Sequence, residues 1–326
     1  MAVYTEVSAD DINSFVQDYD LGAVLTFKGI AEGVENSNYL LQTEGGNFIL
    51  TLYEKRVNAD DLPFFIGLMD HLAARHINCP RPVHDRNDVA LKELCGRPAA
   101  MVTFLQGISL KSPSPAQVGE VGRALAEMHL AAADFDGKRQ NALSLAGWQD
   151  LAGKCGDRAD EIADGLAGLI ARELDYLEQN WPGDLPEGVI HADLFPDNVF
   201  FLGERLSGLI DFYFACNDLW AYDLAICLNA WCFENSDGAF NVTKARRMLE
   251  GYNAVRSLKP AEVEALPVLC RGAALRFLLT RSYDWLNQVE GALVKPHNPI
   301  PFLNRLRFHQ SVESAEAYGI EPARLT

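Results

Sequence analysis

Ile12, Phe15, Val16 and Tyr19 recur at helical spacing behind Ser8, a residue suited to capping a helix. The period then shortens. Val24–Ile30 and the segments 39–42 and 48–53 read as strands, the last two joined by the turn Glu44-Gly45-Gly46-Asn47. Leu62, Phe65, Ile66, Met69, Leu72 and Ala73 restore a helical pattern over about 60–76, which the prolines of Cys79-Pro80-Arg81-Pro82 close. Segments 89–94 and 97–103 supply two more strands. Residues 1–104 are therefore expected to form a small lobe, a mostly antiparallel sheet with one helix against it.

Leu105-Gln106-Gly107 reads as a crossing into residues 105–326, where helices dominate. Ser112-Pro113-Ser114-Pro115 caps a helix over about 116–133, and another is expected over about 158–179. A strand–loop–strand insert at 189–214 interrupts them, with its own turn at Gly203-Glu204-Arg205. The pattern predicts an α+β, bilobal, protein-kinase-like fold, with a β-rich small lobe and a helical large lobe that carries a catalytic β-hairpin.

Composition narrows the partners. The 326 residues are 48% hydrophobic and 22% charged, in the range of a globular enzyme. A net charge of −17 argues against nucleic acid and anionic membranes, since no basic stripe exists to displace counterions. The seven cysteines are scattered, odd in number and without a Cys-x-x-Cys pair, which points to reduced thiols in a cytosol. The N-terminus has no secretory pattern, and Arg271 and Arg276 interrupt the apolar run 268–280, so a cytoplasmic protein without a membrane span is expected. Homo-oligomerisation is left open.

The chemistry concentrates in Val189-Ile190-His191-Ala192-Asp193-Leu194-Phe195-Pro196-Asp197-Asn198, followed by Gly208-Leu209-Ile210-Asp211. Two apolar runs each deliver a carboxylate, and the loop between them adds an amide. Phosphoryl transfer needs this set: Asp193 to accept the proton of an acceptor hydroxyl, Asn198 and Asp211 to hold Mg²⁺ against nucleotide phosphates. His191 is expected to pack and to bond the loop backbone. Singly, Asp193, Asp197 and Asp211 would pass for turn formers; their joint spacing favours chemistry.

This pattern resembles the aminoglycoside phosphotransferase and choline kinase superfamily, which has the protein-kinase fold. Asp218-Leu219-Trp220-Ala221-Tyr222-Asp223-Leu224-Ala225 is similar to that family's helix start, and the resemblance implies that Asp223 caps and braces the catalytic loop. Three further stretches resemble the bacterial homoserine kinases of this superfamily: Phe48-Ile49-Leu50-Thr51-Leu52-Tyr53-Glu54-Lys55-Arg56, Asp61-Leu62-Pro63-Phe64-Phe65, and Ala274 through Leu286. The resemblance implies ATP- and Mg²⁺-dependent phosphorylation of L-homoserine, for threonine synthesis. The alternatives are a kinase for another small alcohol (choline, ethanolamine, methylthioribose, hydroxylysine, an aminoglycoside) or a nucleotide-binding pseudokinase.

Two departures from the kinase pattern stand out. Thr51 occupies the position of the phosphate-binding lysine, and Asp60 and Asp61 replace the partner glutamate. Lys55 or Arg56 either supplies the missing charge or is a solvated surface residue. The loop Gly29 to Asn38 lacks a glycine triplet, so Ser37 and nearby backbone N–H groups are the expected phosphate contacts, with adenine at the backbone of Thr103 and Leu105. An amino-acid acceptor is a zwitterion, for which Arg276, Arg281, Tyr283 and Asp284 are the candidates. Bracing of the lobe is the competing role for these arginines.

Overall fold

The computed structural model describes residues 5–30, 36–54, 58–288 and 296–320. The chain divides into two compact units, the first comprising 1–106 with the short segments 135–137 and 208–210, the second the remainder.

In the first unit, α1 (Ala9–Val16) starts at Ser8, whose hydroxyl accepts the Asp11 N–H while the Asp11 carboxylate accepts the Ser8 N–H. There follow β1 (Val24–Ile30), β2 (Ser37–Thr43), β3 (Gly46–Leu52), α2 (Leu62–Ala74), β4 (Leu91–Leu94) and β5 (Arg97–Thr103). The strands form one antiparallel sheet in the order β1-β2-β3-β5-β4. Alternation assigns its two faces. Tyr39, Leu41, Phe48, Leu50, Leu52 and Met101 join Ile12, Phe15 and Val16 in one core, while Asn38, Leu40, Ile49, Thr51 and Val102 share the opposite face. α2 stops at Ala74 rather than at the prolines, because His76 turns the backbone left-handed with φ 64°. Asp60 and Asp61 lie in a 3₁₀ turn ahead of α2.

The second unit begins with α3 (Pro115–Ala131), capped by Ser114 in a box with Gln117. α4 (Leu145–Cys155) and α5 (Leu166–Asn180) come next. The single expected helix over 158–179 is a 3₁₀ turn and α5, separated because Gly165 adopts a left-handed conformation. β6 (Glu187–Ile190) leads into the loop 191–198, and β7 (Val199–Leu202) and β8 (Arg205–Leu209) form the hairpin beyond it. β9 (Cys216–Leu219) returns to pair antiparallel with β6.

The remaining helices are α6 (Trp220–Trp231), α7 (Val242–Asn253), α8 (Pro260–Leu286) and α9 (Ile300–Gln310). All seven cysteines are free and only Cys95 is exposed. Among the described residues no helix is long and apolar enough to cross a membrane.

Candidate active site

The loop after β6 is held from behind by α6. Asp223, Cys227 and Trp231 lie at successive turns of that helix. The Asp223 carboxylate accepts the His191 N–H (2.7 Å) and the Ala192 N–H (2.9 Å), and Trp231 Nε1 donates to Leu194 O (2.7 Å). His129 Nε2 of α3 makes a third contact to Asp223 (3.0 Å), and Tyr252 closes the other side of that ring at Nδ1 (2.8 Å). Asp223 is wholly buried; it lies inside α6 rather than at its cap, which is Leu219. Burial pushes its carboxyl up, but the bond and charge of His129 and the neighbouring donors outweigh this and hold it below the ordinary value.

The carbonyl of Ala192 accepts from a guanidinium nitrogen of Arg276, so both backbone groups of this residue are fixed. They fix it in an uncommon state, φ 64°, which turns the chain so that Asp193 leaves the buried strand and is half-buried. The Asp193 N–H bonds His191 Nδ1 (3.3 Å), which requires that nitrogen to be unprotonated. His191 is fully buried and its ring packs on Phe212 at 4.8 Å, next to Asp211 in the chain.

Asn198 Nδ2 donates to Asp193 O (2.8 Å) and to Asp193 Oδ2 (3.3 Å). The amide oxygen is thereby turned away from these bonds and left as an acceptor. Because β7 and β8 are joined by a two-residue turn, Asn198 before β7 and Asp211 after β8 stand at the same open end of the hairpin. Asp211 is exposed and left-handed, φ 64°. An amide oxygen and a carboxylate are hard donors of the kind Mg²⁺ takes, so the residues present fit that ion.

α8 carries the other candidates. Arg276 is only 1% exposed and faces the loop backbone. Arg281, half-buried, feels the charges of Asp193 and Asp197, although burial lowers its pKa. Tyr283, two residues on, lies on another side of the helix, and Asp284 is exposed one turn beyond Arg281. Arg271 is taken up by a two-pronged ion pair with Glu173 (2.6 and 2.7 Å), a bracing role.

In the first unit the lysine position is filled by a neutral pair, Thr51 Oγ donating to Asn38 Oδ1 across β3 and β2 (2.8 Å). The Ser37 hydroxyl is fully buried; it donates to Glu54 Oε1 (2.8 Å) and accepts the Thr5 N–H (3.0 Å), so it points into the unit's own network. The Thr103 N–H is bonded to Arg81 O (2.9 Å). Lys55, Arg56 and most of the loop after β1 lie outside the described residues. Arg305 of α9, absent from the sequence reading, sits beside Arg281, with both guanidiniums against the Phe302 ring. No motif marks it, since α9 is distant in sequence from the catalytic loop.

Residues 26–258 match the phosphotransferase enzyme family. A homoserine kinase of Xanthobacter autotrophicus is 62% identical over 320 residues, covering 98% of this chain and 99% of that protein. One from Allorhizobium ampelinum is 61% identical over 319 residues, with coverage of 98% and 99%. Among solved structures, an amicoumacin kinase superposes with a TM-score of 0.70 at 14% identity, covering 98% of both chains. A choline kinase from Cryptosporidium parvum does so at 0.67 and 14%, covering 93% and 94%. These two share the fold. The chain belongs to the phosphotransferase enzyme family, within which it stands with the homoserine kinases.

Proposed function

We propose that the chain transfers the γ-phosphoryl group of ATP to the side-chain hydroxyl of L-homoserine, giving O-phospho-L-homoserine for threonine synthesis in the cytoplasm. The near full-length identity of 62% to a protein named homoserine kinase carries this reading. The paired Asp193 and Asn198 give it a chemical basis.

Asp193 is the base. Asn198 restrains the carboxylate at Oδ2, and that carboxylate takes the proton of the acceptor hydroxyl. As the new O–P bond forms, the hydroxyl proton passes to Asp193, the bond to the β-phosphate breaks, and ADP departs. An ordinary ionised carboxylate suffices. Asn198 and Asp211 would hold Mg²⁺, which when bound neutralises charge on the β- and γ-phosphates. Asp223 and Arg276 keep the loop in its left-handed turn, so that Asp193 is aimed before substrate arrives.

On the nucleotide side, the backbone of Thr103 and Leu105 is assigned to adenine, and the strand ends at Ser37 and Thr51 to the phosphates. Arg281 is assigned to the acceptor carboxylate. Asp284 is assigned to the ammonium, with Tyr283 bordering the same end of α8.

An ADP-release assay across L-homoserine, choline, ethanolamine, methylthioribose, hydroxylysine and an aminoglycoside tests the reading. L-Homoserine should give the highest kcat/KM, and Asp193→Ala should abolish turnover in a protein with unchanged circular dichroism. A folded protein that phosphorylates another alcohol better, or none of them, overturns it.

A further inference from the structure

Two arginines of the second unit stand on one ring with no carboxylate in ion-pair contact with either among the described residues. Arg281 and Arg305 both lie against the ring of Phe302, at 4.5 and 4.4 Å from its centroid. Elsewhere in the unit, Arg271 is closed by Glu173, Arg256 by Glu262, and Arg276 by the backbone carbonyl of Ala192. No ion pair among the described residues closes Arg281 or Arg305. The charges that favour Arg281 are those of Asp193 and Asp197, whereas Arg305 meets the repulsion of Arg281 itself.

That arrangement is costly for a fold to keep. Burial, with the Arg281 charge added, lowers the Arg305 guanidinium to about 10. Arginine tolerates stacking on an aromatic face, and its planar donors suit a carboxylate. The ring beneath them is continuous with the catalytic loop, for Phe302 packs on Phe277 (5.2 Å), and Phe277 on Phe195 (4.8 Å). Phe195 lies two residues after Asp193. A cationic pair is thus tied through three rings to the loop that carries the base.

We propose that Arg281 and Arg305, arrayed on Phe302, form the receptor for the carboxylate of an α-amino-acid acceptor, with Arg305 as a specificity-determining residue. This rests on the homoserine reading and supplies what it lacks, a second cation from α9. An alcohol without a carboxylate leaves the repulsion between the two charges unrelieved, so such acceptors are rejected.

The test separates binding from turnover. Binding of L-2-aminobutyrate, which keeps the zwitterion but has no side-chain hydroxyl, is measured by calorimetry beside 2-aminobutan-1-ol, with ATP analogue present. Kinetics with L-homoserine run in parallel on the full chain, on Arg305→Met and on Arg305→Lys, each checked by thermal melting. Wild type should bind the amino acid and not the amino alcohol. Arg305→Met should raise the dissociation constant and the homoserine KM about 10- to 100-fold with kcat within about threefold, and Arg305→Lys should recover part of the loss.

Equal binding of the two ligands, or a folded Arg305→Met with unchanged affinity, overturns the receptor even if homoserine is phosphorylated. Binding of L-2-aminobutyrate that depends on Arg305, without homoserine turnover, leaves the receptor standing and refutes the homoserine reading. Should Arg305→Met fail to fold, Arg305→Lys decides: unchanged affinity and KM overturn the proposal, and a rise supports it.

Discussion

Asn198 holds Asp193 at two points, its side-chain amide donating both to the backbone carbonyl and to carboxylate Oδ2. The same residue is therefore a positioner of the base and a candidate ligand for the metal. Asp193→Asn should lower kcat by about 10²–10⁴-fold, the usual contribution of a positioned base. Asn198→Ala should lower kcat and also raise the Mg²⁺ concentration needed for half-maximal rate. Steady-state kinetics with a Mg²⁺ titration reads both effects, and an unshifted Mg²⁺ requirement would remove Asn198 from the metal site.

Asp223 makes the loop sensitive to acid. Its folded pKa lies below the ordinary 3.8, so it contributes stability above that value and the contribution is lost as pH falls through the lower folded value. Asp223→Ala strands two buried N–H groups and one face of His129, and should cost about 3–5 kcal/mol at neutral pH. Urea unfolding at a series of pH values should find the variant's acid limb flatter than wild type's.

His309 gives a second acid-sensitive point. The ring is buried between Tyr318 (2.8 Å) and Asn229 (3.2 Å), and burial, helped by the charges of Arg305 and Arg271, lowers its pKa from 6.5 to about 3. The folded state thus favours the neutral ring. Stability is complete above about pH 6.5 and declines as pH falls toward 3, because the unfolded chain takes up the proton first. His309→Gln should remove that slope between pH 6 and about 4, measured by thermal melting across the range.

Close helix packing predicts a third stability effect. A Cβ on Gly122 of α3 would lie 2.1 Å from the backbone oxygen of Met248 on α7, and one on Gly251 of α7 lies equally near Gly119 O. Neither obstacle is a side chain that can swing aside. Gly122→Ala should destabilise by about 1–3 kcal/mol or more, despite alanine's better helix propensity. A calorimetric Tm equal to wild type would contradict this.

The legible parts of the chain are those where local pattern and tertiary role coincide. Ser8 and Ser114 mark helix starts because capping is a short-range bond, and β2 alternates cleanly because one of its faces is core. Asp193 and Asn198 declare themselves because one loop carries both. Segment 145–155 hid its helix: its alanines and glycines leave Trp148 and Cys155 as the only buried residues. Gly165 splits the next helix through a left-handed turn that apolar spacing does not record. Contacts made over long separations were the least visible, among them Arg276 to Ala192 and Arg305 against the ring that Arg281 also covers.

α8 also acts as a ruler. It is 27 residues of continuous helix, braced to α5 at Arg271, gripping the backbone of Ala192 at Arg276, and presenting Arg281 five residues further on. At about 1.5 Å per residue, the two latter points sit roughly 7.5 Å apart along a stiff rod. The spacing between the proton-accepting turn and the cation beside it is consequently a fixed length of the scaffold. Acceptors longer or shorter by a carbon must adapt to that interval, since the rod does not stretch to meet them.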